Sequence, residues 1–279
     1  MISGTQLTEA NPYYGTIDMT NSTKYTFPRT PMQNAVWKRS IYSANPFPKI
    51  CIVIPARMHS TRFPRKPLAM CGDKTLINTV YERCAATCYP TFVLTESLKI
   101  AEHVRDFGGE CILTSGDHEN GTSRCAAAAE TFGDRYDYYV NVQGDMIDIT
   151  IDVILKLIHR LEYHKPKGVM SCYTKMNDED RADPNTVKVL HNSKGKAMWF
   201  LRSSLPYGDH HLGVYAYPKD VLLKYNELEE TEYEYKENLE QLRFLMNDID
   251  ISLIEVEYSG SEINTEQDLK KWREINNHE

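Results

Sequence analysis

Residues 50–68, ICIVIPARMHSTRFPRKPL, decide the fold of this chain. The stretch opens with five apolar residues, a run that is rich in β-branched side chains and far too short to span a membrane. Such a run predicts a strand that is buried on both faces, as in a parallel sheet. The loop that follows holds four cations and two hydroxyls, namely Arg57, Ser60, Thr61, Arg62, Arg65 and Lys66.

The chemistry of this loop suits a polyphosphate. Open α/β sheets bind ligands at the carboxyl ends of their strands, and guanidinium and ammonium groups match phosphate oxygens in charge and geometry. The alternative is a solvated basic loop. Pro55, Pro64 and Pro67 argue against a flexible one, because each fixes its own φ and restricts the residue before it. We therefore expect an anion site here.

Composition narrows the class of protein. With 279 residues, 41% of them hydrophobic, the chain can build one large domain, with or without an appendage. A net charge of −7 argues against a nucleic-acid partner. The seven cysteines are odd in number and include no Cys-x-x-Cys pair, which favours buried free thiols in a reducing compartment. With no basic-then-apolar start and no long apolar run, we expect a cytoplasmic protein without a membrane partner.

Two regions of different character divide the chain. Residues 1–48 are rich in Asn, Thr, Ser, Pro and Tyr and are predicted to form a polar N-terminal extension. It is either a partly disordered arm or a segment that docks on the main domain or on a second subunit. Residues 49–279 are predicted to form the main domain.

Strand and helix patterns alternate along this domain, which predicts an α/β fold with a mainly parallel, Rossmann-like wound sheet. The predicted strands are 50–54, 89–95, 110–114, 138–143, 168–174 and 251–256, and the predicted helices are 75–86, 98–107, 124–131, 150–164, 219–225, 239–247 and 265–275. Residues 187–190 and 197–201 are predicted to form a hairpin. Residues 177–182 are interpreted as a charged connection and residues 227–237, ELEETEYEYKE, as a solvated acidic segment.

Three further places could bind ligands. Thr122 or Ser123 could cap the helix predicted at 124–131. With the nearby glycine and Arg124, the start of this helix could form a second anion-binding site, or it could be an ordinary capped helix. Asp145 follows a buried strand and could hold Mg²⁺, which needs only one or two carboxylates. Its alternative role, capping the next helix, could fall instead to Asp148 or Thr150.

His210 and His211 are adjacent in a predicted strand and should point to opposite sides, so we do not expect them to share a metal.

Six motifs in register resemble the CMP-Kdo synthetases, that is, the 3-deoxy-manno-octulosonate (Kdo) cytidylyltransferases. The motifs are IPARMHSTRFPRKPL at 54–68, DHENGTSR at 117–124, VNVQGD at 140–145, HLGVYAY at 211–217, LEQLR at 239–243 and INTEQDL at 263–269. The likeness covers about residues 49–275. It implies the nucleotide-diphospho-sugar transferase type of fold, with a smaller β-rich subregion for the sugar site and for dimerisation.

The resemblance implies a transfer of CMP from CTP to a sugar acid, with Mg²⁺ as cofactor and a homodimer as the assembly. Catalytic roles would fall to Arg57, Lys66 and Asp145. The nucleotide would be bound by Ala56, Arg57, Ser60, Thr61, Arg62, Lys66, Gly121, Thr122 and Arg124. The sugar acid would be bound by Gln143, Arg202, His211, Tyr215, Glu240 and Gln241. The metal would be held by Asp145 and Asn264.

Three departures from the family pattern keep other functions open. Asn264 stands where the family usually has a metal-binding Asp, and Met146-Ile147 replace Glu-Pro. Between Leu205-Pro206 and His211 a long family segment is reduced to residues 207–210. One alternative is a cytidylyltransferase for another small anionic acceptor, and a second is a non-catalytic nucleotide-binding protein.

Overall fold

A computed structural model of the chain describes residues 47–60, 62–114 and 118–277. Residues 1–46, which make up nearly all of the predicted extension, lie outside the described residues, as does Thr61 of the basic loop.

The elements alternate as the sequence predicted. The strands are β1 Ile50–Pro55, β2 Met70–Cys71, β3 Lys74–Thr75, β4 Thr91–Thr95, β5 Cys111–Leu113, β6 Tyr138–Val142, β7 Val169–Thr174, β8 Lys188–His191, β9 Ala197–Leu201, β10 Asp209–Pro218 and β11 Ile251–Glu255. The helices are α1 Leu76–Ala85, α2 Leu98–Asp106, α3 Gly121–Phe132, α4 Ile151–His164, α5 Asp178–Ala182, α6 Lys219–Leu223, α7 Glu232–Glu237, α8 Leu242–Met246 and α9 Glu266–Ile275. Short 3₁₀ turns occupy Lys66–Leu68, Gly133–Arg135 and Tyr225–Glu227. Among the described residues, no helix combines the length and the apolar character that crossing a bilayer requires.

The main sheet is mostly parallel, which confirms the predicted fold class. Its strand order is β11-β7-β10-β6-β1-β4-β5. β1 pairs in parallel with both β4 and β6, and β11 pairs in parallel with β7. β10 runs antiparallel to both of its neighbours, β6 and β7. It also pairs with β8, which forms the predicted hairpin with β9. These three strands form an antiparallel, β-rich subregion.

Both faces of β1 are buried, which explains its uninterrupted apolar sequence. Ile50, Ile52 and Ile54 pack into the cluster that contains the apolar faces of α1 and α4. Cys51 and Val53 pack into the opposite cluster, which contains the alanines of α3. Each helix layer covers one face of the pleated strand, so every second side chain meets a different core.

Several local predictions were wrong. Residues 177–182 are not a charged connection, because Asn177 accepts a hydrogen bond from the backbone of Asp180 and starts α5. The acidic segment is not fully solvated, because it contains α7 and buries Glu234. The helix predicted at 239–247 is reduced to α8. The short β2–β3 hairpin was not predicted, since two-residue strands leave little periodicity to detect.

The cysteines largely follow the prediction. All seven lie within the described residues and all are free thiols. Five are buried, whereas Cys88 is exposed and Cys111 is half-buried.

Candidate active site

The candidate site lies at the edge of the sheet where β1, β4, β5 and β6 end. β10 runs in the opposite direction, so its first residues, including His211, reach the same edge. β7 and β11 also end there, which brings the segment after β11 to this edge. Residues from six motifs that are far apart in sequence therefore meet in one place.

Lys66 and Asp145 are in contact at the centre of this edge. The Nζ atom of Lys66 donates to Oδ2 of Asp145 at 2.7 Å, and both side chains are largely shielded from solvent. Arg65 adopts a left-handed backbone (φ 58°), and Pro67 lies in the 3₁₀ turn that Lys66 begins. The chain thus turns sharply so that Lys66 points back across the end of β1 to the end of β6.

The other cations of the loop point outward. Arg57 and Arg62 are exposed, and Nη2 of Arg62 donates to Oδ1 of Asn264 at 3.4 Å. Ala56 continues the pairing of β1 by donating to the carbonyl of Leu94 at 2.8 Å, and Phe63 anchors the loop in the core. The chain is therefore anchored just before Arg57, at Ala56, and just after Arg62, at Phe63.

The turn after β6 is free to present Asp145. Thr150 caps α4, so Asp145 does not serve as the cap. Met146 and Ile147, which replace Glu-Pro of the family pattern, are fully buried and pull the turn onto the core. The backbone N–H of Ile263 donates to the carbonyl oxygen of Asp145 at 2.9 Å. This bond brings residues 262–264 beside the carboxylate.

Glu262 belongs to the site and was missed from the sequence. Burial and the neighbouring Asp145 carboxylate raise the pKa of Glu262 to about 7, and the opposing influences of Lys66, Asn264 and Arg202 only partly offset the rise. The sequence does place this carboxylate two residues before Asn264, next to the INTEQDL motif. Only the Ile263–Asp145 hydrogen bond reveals which carboxylate it approaches.

Asn120, rather than Thr122 or Ser123, caps α3. The Asn120 side chain accepts from the backbone of Ser123 at 2.9 Å, and the Ser123 hydroxyl accepts in return from the Asn120 backbone. The helix thus begins at Gly121, three residues before the predicted start. A Cβ at Gly121 would lie 3.4 Å from Oε1 of Gln143, so the glycine lets the helix start close to this side chain.

Thr122 links the start of α3 to the predicted acceptor residues. Its backbone N–H donates to Oε2 of Glu240 at 3.4 Å, and its hydroxyl lies 3.0 Å from the hydroxyl of Tyr217. Burial raises the pKa of Glu240, although the N–H groups of Thr122 and Gly121 counteract the rise. The nucleotide and acceptor halves of the predicted site are therefore contiguous.

Arg124, which was predicted to lie near the cytosine and ribose, is buried, whereas the predicted phosphate-binding residues Arg57 and Arg62 are exposed. Its Nη1 donates to Oγ1 of Thr114 at 2.7 Å, and its Nη2 lies 2.7 Å from Oε2 of Glu96. Its guanidinium group therefore lies under the site, between the ends of β4 and β5.

The predicted acceptor residues come from several elements. Gln143 follows β6, Arg202 follows β9, and His211 and Tyr215 lie on β10. Glu240 and Gln241 lie between α7 and α8. Nε and Nη1 of Arg202 donate to three backbone carbonyls, those of Glu237, Pro184 and Asn185. Burial, followed by the charge of Arg62, lowers the pKa of Arg202. Gln241 is buried.

His211 and Tyr215 lie on the inner part of β10. Nε2 of His211 lies 2.9 Å from the hydroxyl of Ser171, and its ring packs against Phe200 and Tyr215. Burial, with a smaller effect of His210, lowers the pKa of His211 to about 3. Burial also raises the pKa of Tyr215. His210 and His211 are consecutive residues of β10, so their side chains leave the strand on opposite faces.

The shortened connection before β10 packs tightly. Gly208 has a left-handed backbone (φ 100°), and a Cβ there would lie 3.2 Å from the carbonyl oxygen of Val189. Four residues can span this gap because glycine permits both the turn and the close approach to β8.

A wound sheet whose carboxyl edge joins a cationic loop to a metal-type carboxylate has the architecture of a nucleotidyltransferase. The family model described as cytidylyltransferase matches residues 51–251. The 3-deoxy-manno-octulosonate cytidylyltransferase of Acaryochloris marina is 41% identical over 235 residues, which cover 80% of this chain and 95% of that protein. The enzyme of the same name from Leptospira biflexa is 39% identical over 205 residues, which cover 70% of this chain and 83% of that protein.

A solved structure gives the same result. The structure of CMP:2-keto-3-deoxy-manno-octonic acid synthetase complexed with CTP has a TM-score of 0.77 and 34% identity, and the match covers 82% of this chain and 98% of that chain. This chain belongs to the 3-deoxy-manno-octulosonate cytidylyltransferase family. It is a CTP-dependent cytidylyltransferase, and the non-catalytic alternative is set aside.

Proposed function

We propose that the protein transfers CMP from CTP to Kdo and releases pyrophosphate. The observation that carries the proposal is the 2.7 Å contact between Lys66 and Asp145, which unites the cationic loop and the predicted metal carboxylate at one edge of the sheet. The names of the relatives supply the acceptor.

The cations of the loop after β1 would bind the triphosphate. Arg57, Arg62 and Lys66 would neutralise its oxygens, while Ala56, Ser60 and Thr61 would shape the loop. Gly121 and Thr122 would face the cytosine and ribose, since the start of a helix offers backbone N–H groups to a polar ligand.

The residues beside Asp145 fit a divalent cation such as Mg²⁺. Mg²⁺ takes one or two protein carboxylates and otherwise keeps water and phosphate oxygens. Asp145 offers a carboxylate, Asn264 an amide oxygen, and Glu262 a second carboxylate. No group of three or more His, Cys, Asp or Glu side chains suited to a metal occurs in the part of the chain that the structure describes. The ion would therefore rely on the triphosphate for its remaining ligands, and it would neutralise charge that develops on the phosphates.

The acceptor would lie between β10 and α8. Arg202 would pair with its carboxylate, and Gln143, His211, Tyr215, Glu240 and Gln241 would bind its hydroxyls. With its low pKa, His211 stays neutral at pH 7, so its imidazole contributes a hydrogen-bonding group without a charge.

In the reaction, the anomeric hydroxyl oxygen would form a bond to the α-phosphorus and would give up its proton to water. The bond between the α-phosphorus and the oxygen that bridges to the β-phosphate would break, and this oxygen would leave with the pyrophosphate. Arg57, Arg62 and Lys66 would stabilise the negative charge that accumulates on the departing pyrophosphate. Positioning and charge neutralisation provide most of the acceleration in such transfers.

A second candidate function keeps the reaction but changes the acceptor to another small anionic molecule. The shortened connection at residues 207–210 favours it, because the tight turn at Gly208 removes chain from the border of the acceptor pocket. Release of pyrophosphate from CTP, measured with Mg²⁺ against a panel of sugar acids and phosphorylated acids, tests both functions. Kdo should give the highest turnover, and turnover with another acid alone would support the second function.

We also propose that the enzyme is a cytoplasmic homodimer. The seven free thiols support a reducing compartment. The exposed apolar side chains of Met198, Tyr207, Tyr233 and Tyr235, near the β-rich subregion, support an interface there. Light scattering of the purified protein should give twice the mass of one chain.

A further inference from the structure

Glu96 connects the two predicted nucleotide-binding segments and lies outside all six motifs. It directly follows β4, at the same edge of the sheet as the candidate site. Its Oε1 atom accepts a hydrogen bond from the backbone N–H of Met58 at 3.1 Å. Its Oε2 atom lies 2.7 Å from Nη2 of Arg124. One carboxylate therefore contacts both the cationic loop after β1 and the first turns of α3.

The partner of Glu96 has little access to water. Arg124 is 5% exposed, and its guanidinium group lies between Glu96 and Thr114, whose hydroxyl accepts from Nη1 at 2.7 Å. A buried guanidinium group that loses its carboxylate keeps its charge without compensation, so the surrounding segments must move or admit water. The position of Arg124 thus depends on the charge of Glu96.

The connected segments carry the groups that would grip CTP. Met58 lies between Arg57 and Arg62, and Arg124 lies one helical turn after Gly121, which sits against Gln143. Displacing the loop relative to α3 would separate the cations that bind phosphate from the residues that face the base and ribose. Such a displacement would weaken binding of CTP, because the two groups of residues would no longer match the spacing of one nucleotide.

We propose that Glu96 is a positioning residue for CTP, which fixes the cationic loop against the start of α3 by binding Met58 and Arg124 at once. Arg124 would thereby contribute to CTP binding by its contacts with Glu96 and Thr114 and not by contacting a phosphate. The inference rests on the proposed function, because it requires that these segments bind CTP.

The test compares Glu96→Gln with Glu96→Ala. Glutamine keeps an acceptor for the N–H of Met58 but loses the charge opposite Arg124, whereas alanine loses both. We expect KM for CTP to rise about 10-fold with glutamine and further with alanine, as when one partner of a buried charge pair is removed. KM for the sugar acid and kcat should change less than about threefold, since the acceptor residues lie on other elements. Glu102→Gln, on the exposed face of α2, is the matched control and should retain wild-type constants.

Hydrogen exchange supplies a readout that does not depend on activity. The amide of Met58 should exchange faster in Glu96→Ala than in Glu96→Gln, because only the glutamine retains an acceptor. In a double-mutant cycle, Glu96→Gln and Arg124→Met should raise KM for CTP less than additively.

Two results would overturn the inference. The first is a wild-type KM for CTP in folded Glu96→Ala. The second is a lower melting temperature with changes of equal size in three constants, namely KM for CTP, KM for the acceptor and kcat. Such a result would indicate that Glu96 is a purely structural residue. Failure of the proposed function looks different, because the wild-type protein itself would then release no pyrophosphate from CTP with any acceptor.

Discussion

Replacement of His211 by glutamine should weaken the loss of stability that the protein suffers in mild acid. His211 is buried beside Ser171 and Tyr215, and burial lowers its pKa to about 3. In the unfolded chain the same imidazole titrates near pH 6.5, the usual value for histidine. Below pH 6.5 the imidazole is protonated in the unfolded state but stays neutral in the folded state. The free energy of unfolding therefore falls as the pH falls from 6.5 towards 3, and His211 does not change it above pH 6.5.

The magnitude follows from the two pKa values. At pH 5 the unfolded imidazole is almost fully protonated and the folded one almost fully neutral, so His211 costs the native state about 2 kcal/mol relative to pH 7.5. For a chain of this size, that loss corresponds to a decrease in melting temperature of about 4–8 °C. Glutamine can keep a hydrogen bond to Ser171 but does not titrate.

The assay is urea unfolding at pH 7.5 and pH 5 for the wild type and for His211→Gln. The wild type should lose about 2 kcal/mol more than the variant between the two pH values. His159→Gln, on the exposed surface of α4, is the matched control and should follow the wild type, because its ring is solvated in both states. Equal pH dependence in the wild type and His211→Gln would show that the buried imidazole does not govern this acid sensitivity.

Three further predictions concern the site and its support. Lys66→Ala should lower turnover at least ~100-fold, as when a stabilising donor to developing charge is lost; near-normal pyrophosphate release would refute its role. Glu262→Gln should weaken Mn²⁺ binding and Asn264→Asp should strengthen it, because the first change removes a negative charge beside the ion and the second adds one. Titration of Mn²⁺ in the presence of CTP measures both affinities. If both variants bind Mn²⁺ with the same affinity, these side chains are not ligands. Glu234→Gln should destabilise the fold by about 3 kcal/mol, since Arg243 donates to both Glu234 oxygens at 2.8 Å in a buried pair; an unchanged urea midpoint would contradict this.

The sequence reveals the cationic loop and the carboxylate because local chemistry marks both. An apolar β-branched run that ends in arginines and lysine predicts a buried strand followed by an anion site, whatever the rest of the chain does. The position of Asp145 after a buried strand and a glycine carries the same kind of information. Because parallel strands end at one edge of a sheet, even the proximity of Lys66 to Asp145 could be expected.

Glu96 and Glu262 escaped prediction because single carboxylates have no local signature. Each acquires its role from a long-range contact, Glu96 through Met58 and Arg124, and Glu262 through the hydrogen bond that joins Ile263 to Asp145. The acidic segment shows the same limit of prediction from sequence. Its charges predict a solvated segment, but Glu234 is buried in an ion pair with Arg243.

Sequence alone therefore determined the strand-helix alternation, the α/β class and the clustering of cations in the loop after β1, because hydrophobic periodicity and charge clustering are properties of neighbouring residues. The tertiary structure decided which distant carboxylates face these cations, which arginine is buried instead of exposed, and which histidine stays neutral. Those outcomes depend on burial and on contacts between segments that only the folded sheet brings together.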